Sequence, residues 1–172
     1  PTYPTSDNGN PHTVTSNNTT NPGLVVYGVG CAYASTAPSF SGATRHQWQS
    51  ESGGWVSAGV GSVQTSGGTR TISCTNSQWG SNFALNATGY GGTPSYSSSA
   101  GAGTSGQQSS LTWTHSINST DTLIVVVVSC YNASVETTMT CTMDGEAMTK
   151  RAYGSRCVAF TIANSTTRTA TF

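Results

Sequence analysis

Leu24-Val25-Val26-Tyr27-Gly28-Val29-Gly30-Cys31-Ala32-Tyr33-Ala34-Ser35 recurs about 100 residues later as Leu123-Ile124-Val125-Val126-Val127-Val128-Ser129-Cys130-Tyr131-Asn132-Ala133-Ser134. Three more pairs keep the same order. His12-Thr13-Val14 matches His115-Ser116-Ile117, and Thr69-Arg70-Thr71-Ile72 matches Thr167-Arg168-Thr169-Ala170. More faintly, Pro1-Thr2-Tyr3-Pro4-Thr5-Ser6 matches Pro94-Ser95-Tyr96-Ser97-Ser98-Ser99. Solenoid units repeat at roughly 20–50 residues, so this longer period points to one small β-domain duplicated.

Working outward, strand signals in the first repeat fall at Thr13–Thr15, Leu24–Tyr33, Arg45–Gln49, Gly54–Gln64, Thr69–Thr75 and Phe83–Thr88. In the second they fall at Leu111–Ile117, Thr122–Cys130, Thr137–Met143, Ala147–Ala152, Arg156–Ile162 and Arg168–Phe172. Gly, Pro and Asn clusters separate them, and no window carries a helical apolar stripe. Asp144-Gly145 reads as a tight hairpin turn, with Ser41-Gly42 in the equivalent place. The expected fold is all-β: two tandem β-sandwiches at residues 1–92 and 111–172, joined by a Gly/Ser-rich flexible linker at 93–110.

The two repeats end differently. After the Arg70 strand the first continues into Phe83-Ala84-Leu85-Asn86-Ala87-Thr88, whose alternation suits a half-buried last strand. The second has no counterpart before Phe172. A sandwich short of its last strand exposes an edge and an apolar groove. Either polypeptide beyond residue 172 fills it, or a neighbouring copy donates a strand, or the second repeat is a complete but smaller unit. The donor available in this chain is the arm Pro1–Asn10, with Pro1, Thr2, Tyr3, Pro4, Thr5 and Ser6 foremost. The expected acceptor lining is Leu123–Cys130 and Arg168–Phe172, with Ile124, Val126, Val128, Ala170 and Phe172 foremost.

Composition narrows the setting. Only 7% of residues are charged and the net charge is zero, against about 25% charged in a typical domain. Scattered basic residues argue against a nucleic-acid partner, and no apolar run is long enough to span a membrane. An opening Pro-Thr-Tyr-Pro without Met reads as a processed or trimmed product. So neutral a surface needs glycans or burial in an assembly to stay dispersed. Six Asn-x-Ser/Thr triplets occur, at Asn17, Asn18, Asn86, Asn118, Asn132 and Asn164. They fall mainly at expected turns, where glycosylation must sit, though so Ser/Thr-rich a chain yields several by chance.

The cysteine count is five. Period-2 alternation turns Cys31 and Cys74 into one core, which makes a Cys31–Cys74 disulfide the first expectation and Cys130–Cys141 the second, with Cys157 left over. The alternative is that these are buried thiols packing as small hydrophobes. No Cys/His spacing suits zinc, and no cofactor is implied. The acids form no paired motif, no Ser lies in a nucleophile elbow, and the Gly-rich runs lack a P-loop lysine. His12 and His115 read as strand-edge residues. Trp79 and Trp113 read as core, whereas Trp48 and Trp55 flank a Gly/Ser turn and are candidates for sugar stacking.

The run Leu111-Thr112-Trp113-Thr114-His115-Ser116, then Leu123–Val128, Met143-Asp144-Gly145-Glu146-Ala147-Met148-Thr149 and Val158-Ala159-Phe160-Thr161-Ile162-Ala163-Asn164, resembles the immunoglobulin-like β-sandwich repeats of phage minor tail proteins and bacterial surface proteins. The missing strand is also similar to what is found in subunits of glycan-coated extracellular fibres joined by donor strands. That resemblance implies structural or adhesive work rather than catalysis. The expected function is a secreted subunit of a glycosylated, disulfide-locked homopolymer assembled head to tail by strand donation. A phage-tail or surface-adhesin fragment binding host glycans at the virion or cell surface is the alternative, and a carbohydrate-binding module the third.

Overall fold

The structure is a computed structural model that describes residues 12–18, 23–32, 37, 39–50, 56–75, 78–88, 96–102, 108–130, 137–154 and 157–172. Among these residues the chain is all β, without an α-helix. The strands are β1 (His12–Asn18), β2 (Gly23–Ala32), β3 (Ser39–Ser41), β4 (Thr44–Ser50), β5 (Ser57–Thr65), β6 (Gly68–Thr75), β7 (Gln78–Thr88), β8 (Thr114–Ile117), β9 (Leu123–Ser129), β10 (Thr142–Met143), β11 (Glu146–Ala147), β12 (Thr149–Gly154), β13 (Cys157–Ala163) and β14 (Arg168–Thr171). They form sheets in the orders β1-β6-β3, β4-β5-β2-β7, β12-β13-β9, β14-β8 and β10-β11.

The sheets stack because β2 and β9 are apolar on both faces. Val25, Tyr27 and Val29 of β2 are fully buried and pack with Val14, Ile72, Cys74 and Ala84. Val14 belongs to β1, and Ile72 and Cys74 to β6, so sheet β1-β6-β3 covers this face. The opposite face of β2, carrying Leu24 and Val26, is buried as well. There β2 and β5 pack against β9, while β7 packs against β12 and β13. Cys157 and Ala159 of β13 are fully buried at this junction and cluster with Leu85 and Val127. The alternate residues Val158 and Phe160 face a second core with Ile117, Val126, Met143, Met148, Ala170 and Phe172. The two halves are thus back to back, through faces that an isolated sandwich turns to water. Strands buried on both sides need unbroken apolar runs rather than alternation, and Leu24–Tyr27 and Leu123–Val128 are such runs.

The duplication extends to irregular details. Gly61 lies opposite Tyr27, and Phe160 opposite Val126. The ladder then slips at matching places, between Arg45 and Gln47 in β4 and between Lys150 and Ala152 in β12. Asp144 (φ 53°) and Gly145 (φ 84°) make the primed turn between β10 and β11, and Gly42 (φ 82°) turns the chain from β3 to β4. One difference is a shift of two residues: His12 is paired with Cys74, but His115 with Ala170. Trp113 and Phe172 instead exchange both main-chain bonds, at 3.1 and 2.8 Å, and their rings stack 5.3 Å apart. A slip of two keeps every side chain on its own face, whereas a slip of one would not.

The cysteines correct an expectation. None of the five is disulfide-bonded. Cys31 and Cys74 do share buried surroundings. Burial, with the neighbouring Cys74 second, pushes the Cys31 thiol up to about 12. Cys130 and Cys141 are not neighbours in one core. Cys141 packs against the second core, while Cys130 lies near Cys157, whose thiol burial raises well above the ordinary 9.0. Cys31 and Cys157 thus fill space as small apolar groups, and burial holds both in the unreactive thiol form.

Asn164 corrects another. It is buried, and its Nδ2 donates to the carbonyls of Asn118, Asp121 and Thr166 at 2.9, 3.0 and 3.0 Å. The nitrogen a glycan needs is therefore committed to tying the β13–β14 turn to the turn before β9. Replacing Asn164 with Ala removes these bonds, although Asn118 O keeps the Asp121 N–H at 3.0 Å, at a cost of about 1–3 kcal/mol. Urea unfolding checks this; a loss below about 0.5 kcal/mol would contradict the staple.

Candidate functional site

The two halves differ most at β9. In the first inner sheet β2 lies between β5 and β7; in the second its counterpart β9 pairs with β13 alone among the described residues. Asn164 donates its main-chain N–H to Thr122 O at 3.1 Å. Alternation in an antiparallel ladder then directs the N–H and C=O groups of Leu123, Val125, Val127 and Ser129 away from β13, toward the open side. Leu123 is 45% exposed there.

Natural edge strands carry charges and bulges that discourage pairing. β4 has Arg45 and a bulge, and β12 has Lys150, Arg151 and a bulge at the matching place. β7 is an uncharged edge, but β1 and β12 pack against it. β9, with Leu-Ile-Val-Val-Val-Val-Ser, has neither charge nor bulge. It is built like an interior strand and placed at an edge.

Among the described residues the open edge is β9, which carries Ile124, Val126 and Val128 of the expected lining, while the edge beside Arg168–Phe172 is closed. β14 pairs with β8 on one side. On the other, Asp144 N donates to Thr171 O at 2.8 Å, and Asp144 Oδ1 accepts from Thr171 N at 2.7 Å. Arg168 Nη1 reaches Asp144 Oδ2 at 3.3 Å. Ala170 and Phe172 are buried in the second core with Val126, so the chain's own hairpin closes that edge. Ile124 and Val128 are half-buried on β9, their side chains against the same core.

Part of the segment read as a flexible linker is docked. The Tyr96 ring stacks on His46 at 3.6 Å with the planes 1° apart. Ser99 Oγ donates to His46 O at 3.5 Å and to Gln47 Oε1 at 3.4 Å. A Cβ on Gly101 would stand 3.2 Å from Gln49 Cβ. From the second half, His115 Nε2 is 3.2 Å from Ser98 Oγ. Asp121 takes a bond from Ser97; this bond and the Asn118 amide, the larger cause, hold its carboxyl below the usual 3.8. His46 Nε2 lies 2.6 Å from Ser62 Oγ, and burial lowers its pKa. A serine–histidine pair invites a catalytic reading. Ser62 is only 8% exposed, however, and Tyr96 covers the ring.

The other expected residues are scattered. Asn118 and Asn86 are exposed, on a turn and on β7. Asn17 and Asn18 close β1 opposite Thr69 and Gly68 rather than lying in a turn. Asn132, Trp55 and the donor arm Pro1–Asn10 lie outside the described residues. Trp48 faces the first core over Gly59 instead of offering a sugar platform. Among the described residues no group of three or more His, Cys, Asp or Glu could hold a metal ion, and no helix is long and apolar enough to cross a membrane. Set beside known proteins, the chain matches no family model, no curated protein and no solved structure.

Proposed function

We propose that this chain is a structural subunit that accepts a β-strand along β9. Copies join head to tail into an extracellular, glycosylated filament of immunoglobulin-like sandwich pairs. The observation that carries the reading is the three-stranded sheet β12-β13-β9 beside its four-stranded twin, with an interior-type strand at its edge. The occupant is the arm Pro1–Asn10 of the next copy. Ten extended residues reach about 33 Å, and β9 with its seven residues needs about 23 Å. The arm has one charge, at Asp7, which suits an uncharged edge. Each main-chain bond made there contributes about 0.5–1.5 kcal/mol net, in the manner of strand addition to exposed edges. Exposed Asn86 and Asn118 leave room for sugars on a surface short of charge.

Sedimentation velocity over a wide concentration range tests this. The full chain should gain mass with concentration, and the chain lacking Pro1–Asn10 should remain monomeric with unchanged circular dichroism. A full chain that stays monomeric throughout overturns the reading.

A further inference from the structure

We infer that Tyr96–Gly101 is an internal guard occupying the slot in which a strand added to β9 would lie; this rests on the reading of β9 as an acceptor. The slot follows from the stacking of the two inner sheets. β12 and β13 lie over β7, β13 and β9 over β2, and β9 over β5. The next place in that row, beside the open edge of β9, is over β4.

Tyr96–Gly101 sits there. Trp48 of β4 turns into the first core, so its neighbours Gln47 and Gln49 present the other face of β4, the one toward the second half. Gly101 packs on these two residues, and Ser99 donates to Gln47. Ser62, which holds His46 beneath Tyr96, lies opposite Val26 on that same face. Ser98 then reaches His115 of the second half. The segment thus bridges β4 to His115 and, through Ser97, to Asp121 just before β9, and forms no ladder with β9.

Side-chain contacts of this kind are weaker than a strand ladder, so an incoming strand can displace the guard. Until then the guard denies the apolar edge to casual partners, as covering loops do elsewhere. Small Ser and Gly residues let it lie flat, and one aromatic ring anchors it. Displacement breaks the His46–Tyr96 stack and the Ser98 and Ser99 bonds, which sets a barrier to docking.

The test uses the full chain and a fluorescent peptide carrying Pro1–Asn10, the segment proposed to dock on β9. Stopped-flow association is compared for the native chain, Tyr96→Ala and Ser99→Ala. Tyr96→Ala should bind about tenfold faster, the worth of a lost stack and the hydrogen bonds ordered by it, and Ser99→Ala should fall between. Val125→Lys in the Tyr96→Ala background should abolish binding, which places the peptide on β9. Equal rates in all chains with intact binding overturn the guard and leave the acceptor reading standing. Absence of binding in every chain, or binding that survives Val125→Lys, overturns both.

Discussion

Ala159→Asp should separate the two halves. Ala159 is fully buried at their junction, against Leu85 of the first half and beside Val127. Leu85 and Val127 are the apolar groups packed on it, and a carboxylate buried against such groups costs several kcal/mol even after relaxation. We expect a loss of about 4 kcal/mol or more, set against a typical total of about 5–15 kcal/mol. The control Ala159→Val adds apolar bulk without charge and should cost about 1–3 kcal/mol. The native chain should unfold in urea as one transition because the junction couples its halves. The Asp variant should show two, since each half keeps its own core on the far side of its inner sheet. The pH dependence carries a definite sign. Burial raises the folded-state pKa of the new carboxyl above its unfolded value of about 3.9, so the folded state binds more protons. The deficit should therefore be largest near neutrality and shrink as pH falls toward 4. A variant as stable as the native chain at pH 7 would show that the halves do not pack through Ala159.

That junction was partly readable in the sequence. Duplication and β-class follow from the two runs beginning at Leu24 and Leu123. The same runs carry a signal that alternation arguments pass over. Val25 and Val26, or Val126 and Val127, cannot both face one core. Unbroken apolarity already implies a second covering layer, which here is the other half of the chain.

What stayed hidden depends on distant pairing. A pattern within Arg168–Thr171 marks a strand, but only the folded chain reveals that Asp144 closes its outer side and that β9 pairs on one side alone among the described residues. Alternation likewise turned Cys31 and Cys74 inward, while a disulfide requires specific Cα separation and side-chain direction that alternation does not encode. The guard was obscured by composition. Gly and Ser read as a flexible tether, and the informative residue is the lone aromatic Tyr96, whose partner His46 is a bulge residue far away in sequence. Asn164 misled for a related reason. Its triplet is a glycosylation motif, but its position matches Thr65, where Oγ1 donates to Gly67 O at 3.2 Å and accepts from Gly67 N at 3.0 Å. Both residues exist to tie a hairpin.

Gly61→Val should destabilise the first half by about 3 kcal/mol, although valine is the better strand former. The gain in strand preference is at most about 1 kcal/mol. Against it stands a steric conflict that cannot relax cheaply. A Cβ on Gly61 would lie 2.5 Å from the Thr44 carbonyl oxygen and 2.8 Å from the Phe40 ring. The first of these is backbone of the paired strand. Phe40 in turn meets Tyr27 edge-on at 5.1 Å, so moving it disturbs the largest buried side chain of the first core. Gly59 has a milder conflict: its Cβ would meet the Trp48 ring at 2.9 Å and Phe40 at 3.2 Å, with no backbone atom among the nearest. Gly59→Ala should therefore cost less than Gly61→Ala, and Gly61→Val the most, as overpacking in a dense core requires. The second half explains why glycine is used. Its counterparts of Gly59 and Gly61 are Val158 and Phe160, which fill the second core from within β13. The first half fills the same space with rings from β3 and β4 laid over a strand with no side chains at those positions, as aromatics cover strand glycines elsewhere. Urea unfolding of the three variants gives the order directly. If Gly61→Val were as stable as the native chain, the Phe40 ring would not rest on β5, and the two halves would fill their cores in the same way.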